Sequence, residues 1–169
     1  ISFRHKLKNE EIQKNKSAED IAMLIEEAGA TDGRLKYLYY FLTGQYEFYQ
    51  ERYKSSIRAY RLAEGLLDHI GTFEKAEFYS RIGFCYYRLD HYEFALSYME
   101  RSTNIYKEDS TFEERVFNNE MTRAYITTEL NQFDKAEEIF QEVLSSSKLY
   151  PATYVMALRG IGLNRVRQG

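Results

Sequence analysis

The stretch Glu51–Leu67, ERYKSSIRAYRLAEGLL, is echoed over His91–Tyr106 as HYEFALSYMERSTNIY and again from Asn131 as NQFDKAEEIFQEVLSS. Each copy sets an aromatic residue, then a small residue three places on, then continues as an amphipathic helix. The aromatics are Tyr53, Tyr92 and Phe133, spaced by 39 and 41 residues; the small residues are Ser56, Ala95 and Ala136, with Tyr60, Met99 and Phe140 four places beyond them. A self-similarity of this length marks stacked units, each a helix pair that cannot bury its apolar face alone. Between the copies, Gly44, Gly83, Ala124 and Gly162 recur at intervals of 39, 41 and 38 residues. They read as the small residues of each preceding helix, where two antiparallel helices cross closely. A generic amphipathic helix supplies an apolar stripe but not this shared register.

The register is that of tetratricopeptide repeats. It predicts an all-α tetratricopeptide-repeat superhelix of about three and a half helix pairs, preceded by a linker helix. Helices are expected over about 31–50 and 53–68, 73–89 and 92–107, and 112–130 and 133–148. Pro151 opens a last one over about 151–168, the first half of a fourth repeat. The expected division is 1–30, the end of an N-terminal helical bundle with the linker helix, and 31–169, the repeats, parted as 31–70, 71–109, 110–149 and 150–169. The linker helix rests on KSAEDIAMLIEEAGA, with Ser17 as N-cap and Gly29 closing the C-terminus. The chain starts at Ile1 in what reads as mid-helix, and it stops after RQG where an aromatic-x-x-small phrase is due. It therefore reads as truncated at both ends.

Composition narrows the function classes. The chain is 44% hydrophobic and 29% charged, enough to bury a core, and its net charge of −3 argues against a general nucleic-acid grip. The lone Cys85 allows neither a disulfide framework nor a cysteine-built metal site. It reads as a small buried hydrophobe. No apolar run reaches the roughly 18–20 residues of a membrane span. His5, His69 and His91 lie far apart, and the pairs Glu26-Glu27, Glu113-Glu114 and Glu137-Glu138 read as solvated helix faces. No catalytic residue, metal site or cofactor is expected, nor a direct nucleic-acid or membrane partner; the chain reads as cytoplasmic.

Stacked helix pairs present a concave face built from the first helix of each pair. Counting from the small residues, that face should carry Glu77, Ser80, Phe84, Tyr87 and Arg88 in the second repeat. The third should add Asn118, Met121, Tyr125, Thr128 and Glu129, and the fourth Met156, Arg159, Leu163 and Arg167. Aromatics beside acidic, amide and basic groups suit an extended peptide, whose backbone needs donors and acceptors and whose side chains need apolar pockets. The expected peptide-binding set is Glu77, Tyr87, Arg88, Asn118, Tyr125, Thr128, Glu129 and Arg159.

Particular strings carry a family resemblance. Tyr39-Tyr40-Phe41, Gly44, Tyr46-Glu47-Phe48, Tyr53, Ile57, Ala63-Glu64, the run EKAEF from Glu74 to Phe78, Tyr106-Lys107 and the opening FRH resemble the Rap family of Bacillus, the response regulator aspartate phosphatases. The likeness covers essentially the whole chain. It implies a parent with a three-helix bundle, a linker helix and a repeat domain of about seven tetratricopeptide repeats. Such a protein would bind a response regulator and either dephosphorylate its phospho-aspartate or block its DNA binding. A short Phr-type signalling peptide in the repeat groove would inhibit it.

The family's water-orienting glutamine falls before Ile1, and neither Gln13 nor Gln45 is its counterpart. The resemblance further implies Phe3 as a response-regulator contact and Glu129 as an acidic peptide contact. It sets Gly160 where many members carry a peptide-gripping asparagine. Two alternatives stay open: the repeat sensor of a peptide-regulated transcription factor, and a ligand-free repeat scaffold.

Overall fold

A computed structural model describes residues 32–169 and, ahead of them, Met23. Phe3, the bundle and linker-helix region 1–30 and Gln13 fall outside the described residues, Met23 excepted. The chain divides into two units, Ile1–Gly71 and Thr72–Gly169. Every regular element among the described residues is helical, and no helix there is long and apolar enough to cross a membrane.

The first unit holds α1 (Gly33–Tyr49) and α2 (Tyr53–Glu64). Asp32 caps α1 by accepting from the Arg34 and Leu35 amides. The helices cross where Gly44 meets Tyr60: a Cβ on Gly44 would lie 2.6 Å from the Tyr60 ring, so only glycine allows the approach. At the same crossing Ser56 donates its hydroxyl to the Gly44 carbonyl at 2.7 Å. The expected helix 53–68 ends early. Leu66 donates to the Ala63 carbonyl, and the chain tightens into a 3-10 turn over Leu67–His69.

The second unit holds α3 (Thr72–Arg88), α4 (Tyr92–Tyr106), α5 (Glu113–Glu129), α6 (Phe133–Ser146) and α7 (Pro151–Gln168). Successive helices pack on each other, and α7 also packs on α5. A 3-10 turn, Ser110–Phe112, occupies the expected start of α5, its Thr111 amide held by Asp109. Phe117, Met121, Ala124, Ala136, Ile139, Phe140, Val143, Ala157 and Ile161 form one buried cluster between α5, α6 and α7. Burying a ring such as Phe140, which is wholly enclosed, contributes about 2–3 kcal/mol.

Three turns repeat in atomic detail. Glu51, Asp90 and Asn131 each adopt a left-handed conformation, with φ of 58°, 59° and 57°. In each turn the next residue's amide reaches back five residues: Arg52 to Glu47, His91 to Tyr86 and Gln132 to Thr127. The left-handed residue's own amide reaches back three. This double bond closes a helix C-terminus and aims the chain antiparallel. The aromatics Tyr53, Tyr92 and Phe133 then open the second helices.

Buried amides tie the pairs together. Asn119 on α5 donates to Ser102 and Thr103 of α4 at 2.9 and 3.2 Å and accepts from Ser80 of α3 at 2.9 Å. Asn164 on α7 repeats the device, accepting from Thr128 of α5 at 2.9 Å and donating to the Phe133 carbonyl of α6 at 2.9 Å. Both amides are almost fully buried, and their partners satisfy them.

Candidate functional site

Within the second unit, α3, α5 and α7 carry the residues expected on the concave face. Its chemistry starts from interhelical ion pairs. Glu77 on α3 accepts from Arg81 one turn later at 2.7 Å and from the Tyr106 hydroxyl of α4 at 3.0 Å. Arg115 of α5 stands 3.5 Å from the same carboxylate. Burial opposes ionisation of Glu77, but Arg81 above all, with Arg115 and Tyr106, holds the carboxyl below its usual range. Further along, Glu129 of α5 pairs with Arg167 of α7 at 2.5 Å. Each pair thus joins neighbouring first helices by charge.

Tyr87 and Tyr125 stand beside the second pair. Burial raises the Tyr87 hydroxyl pKa, with Glu129 and Tyr125 pushing the same way and Arg88 and Arg167 opposing them. Tyr125 is raised by burial and lowered by Arg159, and its hydroxyl points at the Met156 carbonyl, 3.4 Å away. Tyr92, the first residue of α4, donates to Asp90 at 3.0 Å; burial first and that bond second push it up to about 12. Tyr87, Arg88, Tyr92, Tyr125, Glu129, Arg159 and Arg167 therefore share one electrostatic neighbourhood.

Of the expected set, Glu77, Tyr87 and Tyr125 are half-buried, and Asn118, Arg88 and Arg159 are exposed. Glu129 lies partly open, engaged by Arg167. Thr128 does not reach the face. It is 2% exposed, donating to the Ala124 carbonyl at 3.1 Å and to Asn164. Met121 is likewise in the core, at 1%. The helix α5 packs against helices on both sides, which leaves its open strip narrower than the repeat phase implied.

Gly160 is also not a ligand-facing position, because a Cβ there would lie 2.3 Å from the Phe140 ring. Gly162, the expected crossing residue, has nothing within 4 Å of its Cβ position. Sequence reasoning missed the ion-pair partners Arg81 and Arg115 and the buried Asn119 and Asn164. Their signal was available: Asn164 falls three and seven residues after the apolar Ile161 and Ala157, on the buried stripe of α7.

Cys85 is buried, as a small apolar core residue should be. His69 is exposed in its 3-10 turn, beside Gly33. Among the described residues no group of three or more His, Cys, Asp or Glu is arranged to hold a metal.

No family model matches the chain. The type II methyltransferase M.CeqI of Rhodococcus hoagii is 42% identical over 99% of this chain and 33% of its own length. Response regulator aspartate phosphatase I of Bacillus subtilis (strain 168) is 29% identical over 94% of this chain and 42% of its own length. The chain thus spans less than half of either curated relative. Among solved structures, the apo form of RapI is 29% identical with a TM-score of 0.79, over 90% of this chain and 43% of that one. The Rap conjugation gene regulator of plasmid pLS20, solved with the Phr* peptide, shares the fold at 22% identity and a TM-score of 0.78, over 85% and 40%. The aromatic strings, the helix pairs and these likenesses meet in one assignment: the chain belongs to the Rap family of helical-repeat regulators.

Proposed function

We propose that the chain is the ligand-sensing repeat portion of a cytoplasmic Rap-type regulator. A short signalling peptide lies on the α3–α5–α7 face, and its occupancy governs the grip on a response regulator protein. That grip would remove the regulator's aspartyl phosphate or block its DNA binding, and the peptide inhibits it. The observation that supports this most is the pair of interhelical ion pairs, Glu77–Arg115 and Glu129–Arg167, flanked by half-buried Tyr87 and Tyr125. Charged pairs that join neighbouring first helices respond to any ligand lying across them, so binding and helix spacing are coupled. A ligand preferring one spacing shifts the population toward it, and that differential affinity carries the signal.

Glu77, Tyr87, Arg88, Asn118, Tyr125, Glu129 and Arg159 are the residues proposed to meet the peptide. Phe3 is kept as the regulator contact, and no residue of this chain is assigned a catalytic role. Methyltransferase activity is not proposed, since the match to M.CeqI covers 33% of that protein.

The test is thermal melting of the 169-residue chain with pools of short peptides. Saturation at a hundredfold excess over Kd adds about 2.7 kcal/mol of stability, which reads as a raised Tm. The Tyr87→Ala variant should lose that rise while keeping its own unliganded transition. A flat Tm with every pool sinks the peptide reading. Absence of binding, when the chain meets phosphorylated response regulators, sinks the regulator half.

A further inference from the structure

The first unit carries a surface that the peptide reading does not use, the outward side of α2. That helix buries Ser56, Ala59, Tyr60 and Ala63. On its opposite side Lys54, Arg58 and Arg61 are exposed at i, i+4 and i+7, one above the other on successive turns. Comparison between repeats shows how unlike the others this side is. One, five and eight places after its opening aromatic, α4 carries Glu93, Ser97 and Glu100, and α6 carries Asp134, Glu138 and Gln141, all exposed. The same three places are cationic in the first repeat and acidic or neutral in the next two, in a chain whose net charge is −3.

We propose that this side of α2 docks a helical segment of a partner protein that bears carboxylates one turn apart. Like charges at i, i+3 and i+4 work against the helix that holds them. Glu64 answers Arg61 at 2.8 Å, but Lys54 and Arg58 have no ion-pair partner among the described residues. A repulsion left unrelieved within the chain is relieved by an anionic partner. Leu62, one turn after Arg58 and 56% exposed, adds an apolar contact beside the cations. The stripe spans about 10 Å of helix axis, so carboxylates on successive turns of a facing helix meet it in step. A nucleic-acid duplex or an anionic bilayer calls for a broader basic face, and the net charge of −3 opposes either at range. The acidic sides of α4 and α6 fill only two of the three places, so a second copy of the chain complements the stripe less fully.

Two fluorescein-labelled, alanine-rich helical peptides with capped ends test this on the 169-residue chain. One bears glutamates at i, i+4 and i+7, and the other bears glutamines at the same places. Anisotropy should show the glutamate peptide binding about tenfold tighter at low salt, with the gap closing as salt rises. Lys54→Gln combined with Arg58→Gln should erase the gap without lowering the unliganded Tm, since it removes a like-charge pair. Lys135→Gln combined with Lys148→Gln, which takes equal charge from exposed places in the second unit, should leave the gap intact. Equal affinity for the two peptides, absence of binding, or loss of the gap in the Lys135 and Lys148 variant overturns the proposal. So does tighter binding to a DNA duplex or to phosphatidylglycerol vesicles, or a salt-sensitive dimer, where the Lys54 and Arg58 variant abolishes it. Those outcomes assign the stripe to a polyanion, a bilayer or a second copy. The peptide reading stands or falls separately, because α2 has no part in it.

Discussion

Two helices of the second unit hold the same place in their repeats and meet very different surroundings. α5 buries eight residues, from Phe117 to Thr128, because helices pack on both of its sides. α7 buries five and leaves Val155 at 62%, Leu158 at 47% and Val166 at 79% exposed. Two glycines two positions apart condense the contrast. Gly160 touches the ring of Phe140, whereas Gly162 looks onto open space. The helix α7 therefore has two faces with separate energetics, one fixed by the pair before it and one left exposed. Residues of the same type on the same helix should respond oppositely to the same change.

The sharpest way to break that contrast is to add one methyl group at each site. Phe140 is wholly enclosed in the α5–α6–α7 cluster, so its ring has no room to move away from a Cβ at residue 160. Gly160→Ala should destabilise by about 2–3 kcal/mol, the usual cost of overpacking. Gly162→Ala meets no atom and removes the backbone entropy of a helical glycine, so it should stabilise by about 0.5–1 kcal/mol. Urea unfolding of the two variants checks both signs at once. Equal destabilisation would mean that the two faces are not distinct.

Asn164 tests whether the buried face of α7 depends on its polar clamp as α5 does on Asn119. Asn164→Ala would leave the Phe133 carbonyl without that donor and the Thr128 hydroxyl without that acceptor, in a site 1% exposed. The expected loss is about 2 kcal/mol, within the range for orphaned buried polar groups. Asn119→Ala, which strips three partners, should cost at least as much. A loss confined to α5 would show that Asn164 is dispensable.

How far these features were legible follows from the same asymmetry. The starts of α2, α4 and α6 at Tyr53, Tyr92 and Phe133 could be read directly, because an aromatic opening each second helix recurs with the turn before it. Tyr87 and Tyr125, which sit one turn past the reference residue or beside it, are half-buried and close enough to interact electrostatically. Thr128 was misplaced because the counting rule assumed equal access for every first helix. One residue of phase turns a helix by about 100°, and four places past Ala124 that rotation carries the side chain under α7, to Asn164. The early end of α2 at Glu64 was missed because Gly65 lies inside an otherwise helical pattern. Ion pairs between helices depend on how the helices stack, which a single helix's pattern does not contain.

The charged tie between α3 and α5 gives a smaller, pH-dependent effect. Glu77 has its pKa lowered in the folded chain, so its stabilisation is full above the ordinary carboxylate pKa and fades as pH falls through the lowered one. Arg81 is 38% and Arg115 53% exposed at the side chain, and solvent screening limits the contribution to about 1 kcal/mol. Glu77→Gln should lose that amount at pH 7 and show a flatter decline in stability on the acid side. An unchanged acid limb would remove Glu77 from the set of charges that tie the helices.

The turns allow the finest comparison, since one backbone shape is filled by three different residues. Asn131 and Asp90 are among the side chains that tolerate a left-handed conformation, whereas Glu51 is not. Glu51→Gly should therefore stabilise the first unit by about 0.5 kcal/mol, the strain relieved exceeding the entropy that glycine loses on folding. The neighbouring Arg52–Glu47 pair, at 2.6 and 2.9 Å, spans the same turn and is unaffected by the change. Asn131→Gly, at a turn whose residue is already suited, should gain less. A larger gain at Asn131 than at Glu51 would mean that Arg52 and Glu47, rather than the left-handed residue, set the stability of the first turn.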